Sequence, residues 1–209
     1  KVLFRLGGDV ISIKPRNFQT AKLTDKDGQP ILDAEGAQKT AQVKVNDRIT
    51  TWNVFFFGRQ KAGDFLFKEK VTYANDGSSM NLVGGYGVSK INEDGSWEYS
   101  ATRNVSAWAT IAYKGSKHWQ PSLFVGYLKE FGTSEEIVGD FWCKNSANAV
   151  NQMYRIQPEI LYTLGKFQIG LEYMMTSVYY GKADANKLAV DNLHWVNNHR
   201  VQAMFKFNF

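Results

Sequence analysis

Hydrophobic and polar residues alternate over long stretches of this chain, and the last stretch is the clearest. From His199 to Phe209, Val201, Ala203, Phe205, Phe207 and Phe209 take one face, and Arg200, Gln202, Lys206 and Asn208 the other, where Met204 is the lone apolar member. A period of two means a strand with one apolar and one wet face. Phe167, Ile169, Leu171, Tyr173 and Met175 alternate with Gln168, Gly170, Glu172 and Thr176. Tyr154, Ile156, Pro158, Ile160 and Tyr162 alternate with Arg155, Gln157, Glu159 and Thr163, and Leu164-Gly165-Lys166 joins the two runs as a hairpin turn. Pro158 is unexpected within a sheet, because it has no N–H for the ladder. Val105 to Tyr113 and Pro121 to Tyr127 repeat the pattern around a turn at 114–118, and Phe65, Phe67, Val71 and Tyr73 oppose Lys68, Lys70 and Thr72. Val54-Phe55-Phe56-Phe57 is apolar on both faces.

These patterns predict eight strands, near 2–14, 43–57, 63–75, 98–113, 119–131, 150–163, 167–180 and 195–209. Short connections near 58–62, 114–118 and 164–166 alternate with long polar ones near 15–42, 76–97, 132–149 and 181–194. Outer-membrane barrels have this parity, with short periplasmic turns and long extracellular loops. The expected fold is therefore all-β: an antiparallel transmembrane β-barrel, one domain over 1–209, with eight strands in this chain. Tyr73, Tyr113, Tyr127, Tyr154, Tyr162 and Phe209 fall towards the ends of their runs, where rings suit membrane interfaces. A soluble β-sandwich with an aromatic core also has period two. It does not account for strands of about 11 to 15 residues, since soluble strands are usually about five or six.

Composition sharpens this picture in two ways. The 209 residues are 14% aromatic, yet mean hydropathy is −0.37, and no run approaches the ~18 apolar residues of a membrane helix. Strands that alternate between lipid and lumen average out in the same way. The net charge of +5 is spread along the chain, and no nucleic-acid motif or basic arm is present. The N-terminus has no signal peptide and opens on a strand-like run, Lys1 to Leu6, which leads us to expect further residues upstream.

The C-terminal strand resembles the terminal signal of Gram-negative outer-membrane barrels. Gly84-Gly85-Tyr86-Gly87-Val88-Ser89, Ser106-Ala107-Trp108-Ala109, Phe124-Val125-Gly126-Tyr127, Gln152 to Pro158 and Asn198-His199-Arg200-Val201 resemble segments of the porin-like outer-membrane proteins of the Bacteroidota. The resemblance covers most of the chain after Gly63. It implies a location in the bacterial outer membrane, crossed many times, among lipid and lipopolysaccharide. It implies insertion by the barrel-assembly machinery, with Phe205, Phe207 and Phe209 as the signal. It also implies a longer barrel, of about 16 strands, of which this chain is the C-terminal part. A homo-oligomer and an envelope-complex subunit are both left open.

Candidate chemistry is sparse. His118, His194 and His199 are scattered, so no metal is expected. Asp25-Lys26-Asp27-Gly28 starts like a calcium loop, but Gly36 stands where the glutamate belongs, so a polar turn is expected. No serine elbow, phosphate loop or dinucleotide fingerprint occurs, so neither catalysis nor a cofactor is expected. Cys143, beside Trp142, reads as a loop bystander. The wet faces carry more information. Arg or Lys facing lipid costs about 2–4 kcal/mol at the midplane, so Lys68, Lys70, Arg155, Glu159, Glu172, Arg200 and Lys206 are expected to line the lumen. In a narrow barrel they would pair and plug it; in a wide one they would set a weak anion preference. The stretch around Gly84-Gly85-Tyr86-Gly87 and Trp97 is either a pore-narrowing insertion or a surface loop. The functional expectation is a passive porin-like channel for small hydrophilic solutes. The alternatives are a non-conducting anchor or partner subunit, and a barrel hydrolase needing a rim Ser–His pair.

Overall fold

The computed structural model describes residues 1–208. Eight long strands form one antiparallel sheet: β1 (Val2–Ile13), β4 (Ile49–Ala62), β5 (Phe65–Asn75), β7 (Trp97–Tyr113), β8 (Trp119–Thr133), β10 (Val150–Leu164), β11 (Phe167–Ala183) and β12 (Ala189–Phe207). They pair in that order, each with its sequence neighbour among the eight, and run 11 to 19 residues. The sheet is open: β1 and β12 are its edges and pair on one side only. Closure into a barrel is therefore not a feature of the described residues.

Four shorter strands decorate one end. β2 (Phe18–Lys22) and β3 (Thr40–Lys44) form a separate hairpin, and β6 (Gly84–Ile91) pairs with both the start of β7 and β9 (Phe141–Lys144). The expected strand 43–57 is thus two elements, because the polar stretch Val45-Asn46-Asp47-Arg48 interrupts it. The first short turn lies at Gly63-Asp64 rather than 58–62. Gly63 and Gly165 both have the positive φ, 56° and 58°, that tight hairpins demand. The 181–194 connection shrinks to residues 184–188, because β11 and β12 continue pairing beyond two register shifts. Short turns still gather at one end, and the decorated connections at the other.

The two prolines within the sheet sit where the ladder can spare a donor. Pro158 pairs with Leu123 of β8, while the ladder towards β11 passes from Ile156 to Glu159. Pro121 lies just beyond the last β7–β8 pair, Ala112 with Ser122.

Register gives each face a distinct character. One face carries Phe4, Leu6, Val10, Trp52, Phe56, Val71, Leu123, Val125, Leu171, Val201, Phe205 and Phe207, all exposed. Leu6, at 79%, and Val201 and Phe205, at 70%, have almost nothing over them. On this apolar face, rings gather towards both strand ends. Trp119 packs at a tilt on Tyr162 at 4.6 Å and Phe65 on Tyr113 at 5.4 Å at the short-turn end. Trp52 meets Tyr73 at 5.3 Å, and Tyr154 meets Trp195 at 5.4 Å, at the other. By contrast, the buried apolar cluster is small: Val83, Leu128 and Ala147, with Leu82 and Met153 against it. Most large apolar side chains of the sheet therefore lie outside any buried core.

Candidate functional site: a basic band beneath an inserted segment

The second face of the sheet is polar, and one end of it is covered. After β5 the chain makes a 3-10 turn, Gly77–Met80, held by Asp76 accepting from the Ser78 N–H. Residues 77–84 then lie against the polar face. Asn104 of β7 donates to the Val83 carbonyl at 2.7 Å, and Asn53 of β4 donates to Ser79 Oγ at 3.3 Å. From the opposite side, Lys144 donates to Ser78 O and to Asn81, and Asn145 to Leu82 O. The stretch around Gly84-Gly85-Tyr86-Gly87 is thus strand β6, and the residues before it form an insertion on the polar face. Gly84 and Gly85 allow the approach: a Cβ on either would lie within 2.5 Å of backbone.

Under this insertion Glu130 and Asn104 are buried, at 1% and 0% exposure. Asn104 Nδ2 donates to Glu130 Oε1 at 3.1 Å. Glu130 Oε2 and Asn104 Oδ1 have no partner among the described residues. Sequence reasoning missed Glu130. Its period-two position on a polar face was visible, but its burial depends on a segment some fifty residues upstream.

Beyond the insertion the polar face opens, and the register arranges it in rungs. One rung crosses all eight strands: Arg5, Phe57, Lys70, Trp108, Gly126, Arg155, Thr176 and Asn198. The next rung towards the short turns holds Leu3, Arg59, Lys68, Thr110, Phe124 and Gln157, with Met174 and Arg200 on the last two strands. The two rungs carry Arg5, Arg59, Lys68, Lys70, Arg155 and Arg200, and no acid. Of these, only Arg200 has an ion pair among the described residues, with Glu172 at 3.1 Å. Arg155 donates to Thr176 Oγ1, and Lys70 Nζ lies 4.4 Å from the Phe55 ring centre. A cavity of about 490 Å³ lies between the insertion and this wall, bounded by Asn81, Leu82, Trp108, Phe124, Arg155 and Thr176.

Every residue of the expected inward set shares this polar face. Lys68, Lys70, Arg155 and Arg200 fall in the band. Glu159 and Glu172 form a direct cross-strand pair one rung further on, where Gln157 Nε2 also donates to Glu172. Lys206 pairs in register with Gln168, close to the short turns. A general salt-bridge ladder is absent: Arg200–Glu172 is the single ion pair of the band among the described residues. Phe205 and Phe207 lie on the apolar face, 70% and 55% exposed, and Phe209 lies outside the described residues. Glu69 is an acid on the apolar face: it leans over Gly58 between Phe67 and Val71.

Elsewhere the polar turns are structural. Asp25 Oδ1 accepts from the Asp27 and Gln29 N–H groups, closing a turn. The three histidines stay apart: His118 meets Thr163 O, His194 meets Asn192 O and His199 meets the Tyr173 hydroxyl. No metal-binding group of three occurs among the described residues. The β2–β3 hairpin is anchored at its base, where Arg16 pairs with Asp47 and stacks 3.8 Å from the Trp97 ring centre. Beside it, burial pushes the Tyr86 and Tyr99 hydroxyls above the usual tyrosine range, with Asp76 adding to the effect at Tyr86.

No protein-family model, curated protein or solved structure matches the chain.

Proposed function

We propose that the chain is part of an outer-membrane β-barrel of the porin-like kind it resembles in the Bacteroidota, and that it passes small anionic solutes by diffusion. The observation that carries this reading is the reversal of faces. Large apolar side chains stand exposed along one face of long strands, while charges gather on the other, and water alone does not support that arrangement. Lipid does support it, provided the apolar band has the right height. Phe65 and Tyr73, Trp119 and Tyr127, and Tyr154 and Tyr162 each sit eight positions apart on one strand. Eight positions make about 27 Å of strand, or about 20 Å of bilayer at a tilt near 40°. Barrel proteins present an apolar band of about 25 Å between aromatic girdles.

The remaining strands would join between β12 and β1, where both edges have unused backbone donors and acceptors. Within lipid such edges must be paired. About sixteen strands in all would leave a wet channel. The six cations of the two rungs would then form an arc on its wall, just past the inserted segment, and would favour anions as charged rings do. No covalent chemistry, metal or cofactor is part of this reading.

A second reading is favoured by the insertion itself. Were the eight strands to close β12 directly onto β1, residues 77–84 and the side chains would fill the interior. The protein would then be a non-conducting anchor or partner subunit. Single-channel recording of natively purified protein in a planar bilayer separates the two. The channel reading expects stable, large steps. Persistent silence, with folded protein inserted, would refute it and favour the second.

A further inference from the structure

The basic band contains more than charge. Phe57 and Trp108 stand on the same rung as Arg5, Lys70 and Arg155, and Phe124 stands one rung away. Their rings form a continuous row on the polar face: Phe57 to Trp108 is 6.2 Å between centres, and Trp108 to Phe124 is 6.0 Å. Gly126, directly opposite Trp108 in register, leaves room for the neighbouring Phe124 ring. A Cβ there would lie 3.0 Å from the Phe124 ring. All three rings are half-buried, and Trp108 and Phe124 form the wall of the 490 Å³ cavity alongside Arg155. An anion filter needs no aromatic residues, and apolar rings on a hydrated wall lose free energy unless a ligand covers them.

We propose that this row and its flanking cations form a binding track for acidic oligosaccharides, chains of uronate sugars. This rests on the channel reading and names its substrate class. A pyranose ring has a face of C–H groups that stacks on an aromatic ring, and the ring centres here are spaced about one sugar apart. Its carboxylate meets the guanidinium or ammonium groups at the edge of the row. Arg155 and Lys70 lie on either side of Trp108 in register and have no acidic partner among the described residues. Arg155 offers a planar fork suited to a carboxylate. Thr176, Asn81 and Asn145 bring hydroxyl and amide groups to the same cavity, suited to sugar hydroxyls.

The test is isothermal titration of the natively purified protein in detergent with trigalacturonate, maltotriose and benzoate, alongside bilayer recording. Trigalacturonate should bind at least about tenfold more tightly than the other two, since each lacks one half of the recognition. Trp108→Ala or Phe124→Ala should each weaken it about tenfold, the loss of one ring contact. Arg155→Gln should weaken trigalacturonate while leaving maltotriose unchanged. Equal binding of maltotriose would overturn the role of the cations. Tighter binding of benzoate would overturn the sugar. Trigalacturonate binding that is indifferent to both aromatic substitutions would reduce the site to a plain anion filter. Steady conduction without any trigalacturonate binding would overturn the track and leave the channel standing. Binding in a protein that does not conduct would overturn the channel reading alone.

Discussion

Replacing Asn104 by leucine should free the inserted segment without disturbing the sheet. Leucine has the same number and branching of side-chain heavy atoms as asparagine, so no large cavity opens. Both donations from Nδ2 vanish, leaving the Val83 carbonyl and Glu130 Oε1 without that partner in a site closed to water. An orphaned buried polar group costs about 1–3 kcal/mol, so the two together cost about 2–6 kcal/mol. The backbone ladders of β5, β7 and β8 do not involve this side chain. The loss therefore falls on the attachment of residues 77–84, and even 2 kcal/mol shifts their opening about 30-fold. Amide hydrogen exchange read by mass spectrometry in detergent measures this directly. Peptides covering 77–84 should exchange about 30-fold faster or more, and those covering 105–111 should be unchanged. Glu130→Gln retains an acceptor for Asn104 and should have a much smaller effect. Unchanged exchange at 77–84 in the leucine variant would refute the idea that Asn104 pins the segment.

Other sites give sharper or simpler readings. Glu69→Leu removes an acid from the apolar face, and should raise stability against urea in lipid by about 1–2 kcal/mol; a loss of stability would mean that a protein partner covers that spot. Arg16→Ala removes both the ion pair with Asp47 and the stack on Trp97, so limited proteolysis should nick residues 15–48 markedly faster, with the main sheet intact. Tyr86 and Tyr99 should be among the last tyrosines to ionise in a spectrophotometric alkaline titration. Because their folded values are raised, the stability they contribute is complete below the ordinary tyrosine value near 10 and fades as pH rises through the higher folded value.

The sheet was legible in the sequence because period two survives wherever the two faces of a strand differ in character, one apolar and one polar. That is why Arg155, Glu159, Glu172, Arg200 and Lys206 could be assigned to one face from spacing alone, and why register places them together. Even the run Val54 to Phe57 resolves on this basis: Val54 and Phe56 lie on the apolar face, Phe55 and Phe57 on the polar one. Strand ends were less legible. Residues 181–183 and 189–194 read as a polar loop, yet they pair, since hydrogen bonding does not require an apolar face. β9 was invisible, because it is defined by long-range pairing of Phe141 to Lys144 with Gly84 to Gly87. The band itself needed register. Spacing shows that Trp108 shares a face with Thr110, but not that it lies opposite Lys70. Glu69, by contrast, is placed on the apolar face by spacing alone, between Phe67 and Val71.

The zero-current potential across a planar bilayer holding a potassium chloride gradient tests the central claim most directly. The six cations of the band, with no acid on the same two rungs, predict a chloride-preferring sign for the natural protein. Lys68→Glu, Lys70→Glu and Arg155→Glu combined should move that potential clearly towards potassium, with single-channel steps still present. A potassium-preferring natural protein, or a potential unmoved by the triple substitution, would contradict the assignment of this face to the wall of a channel.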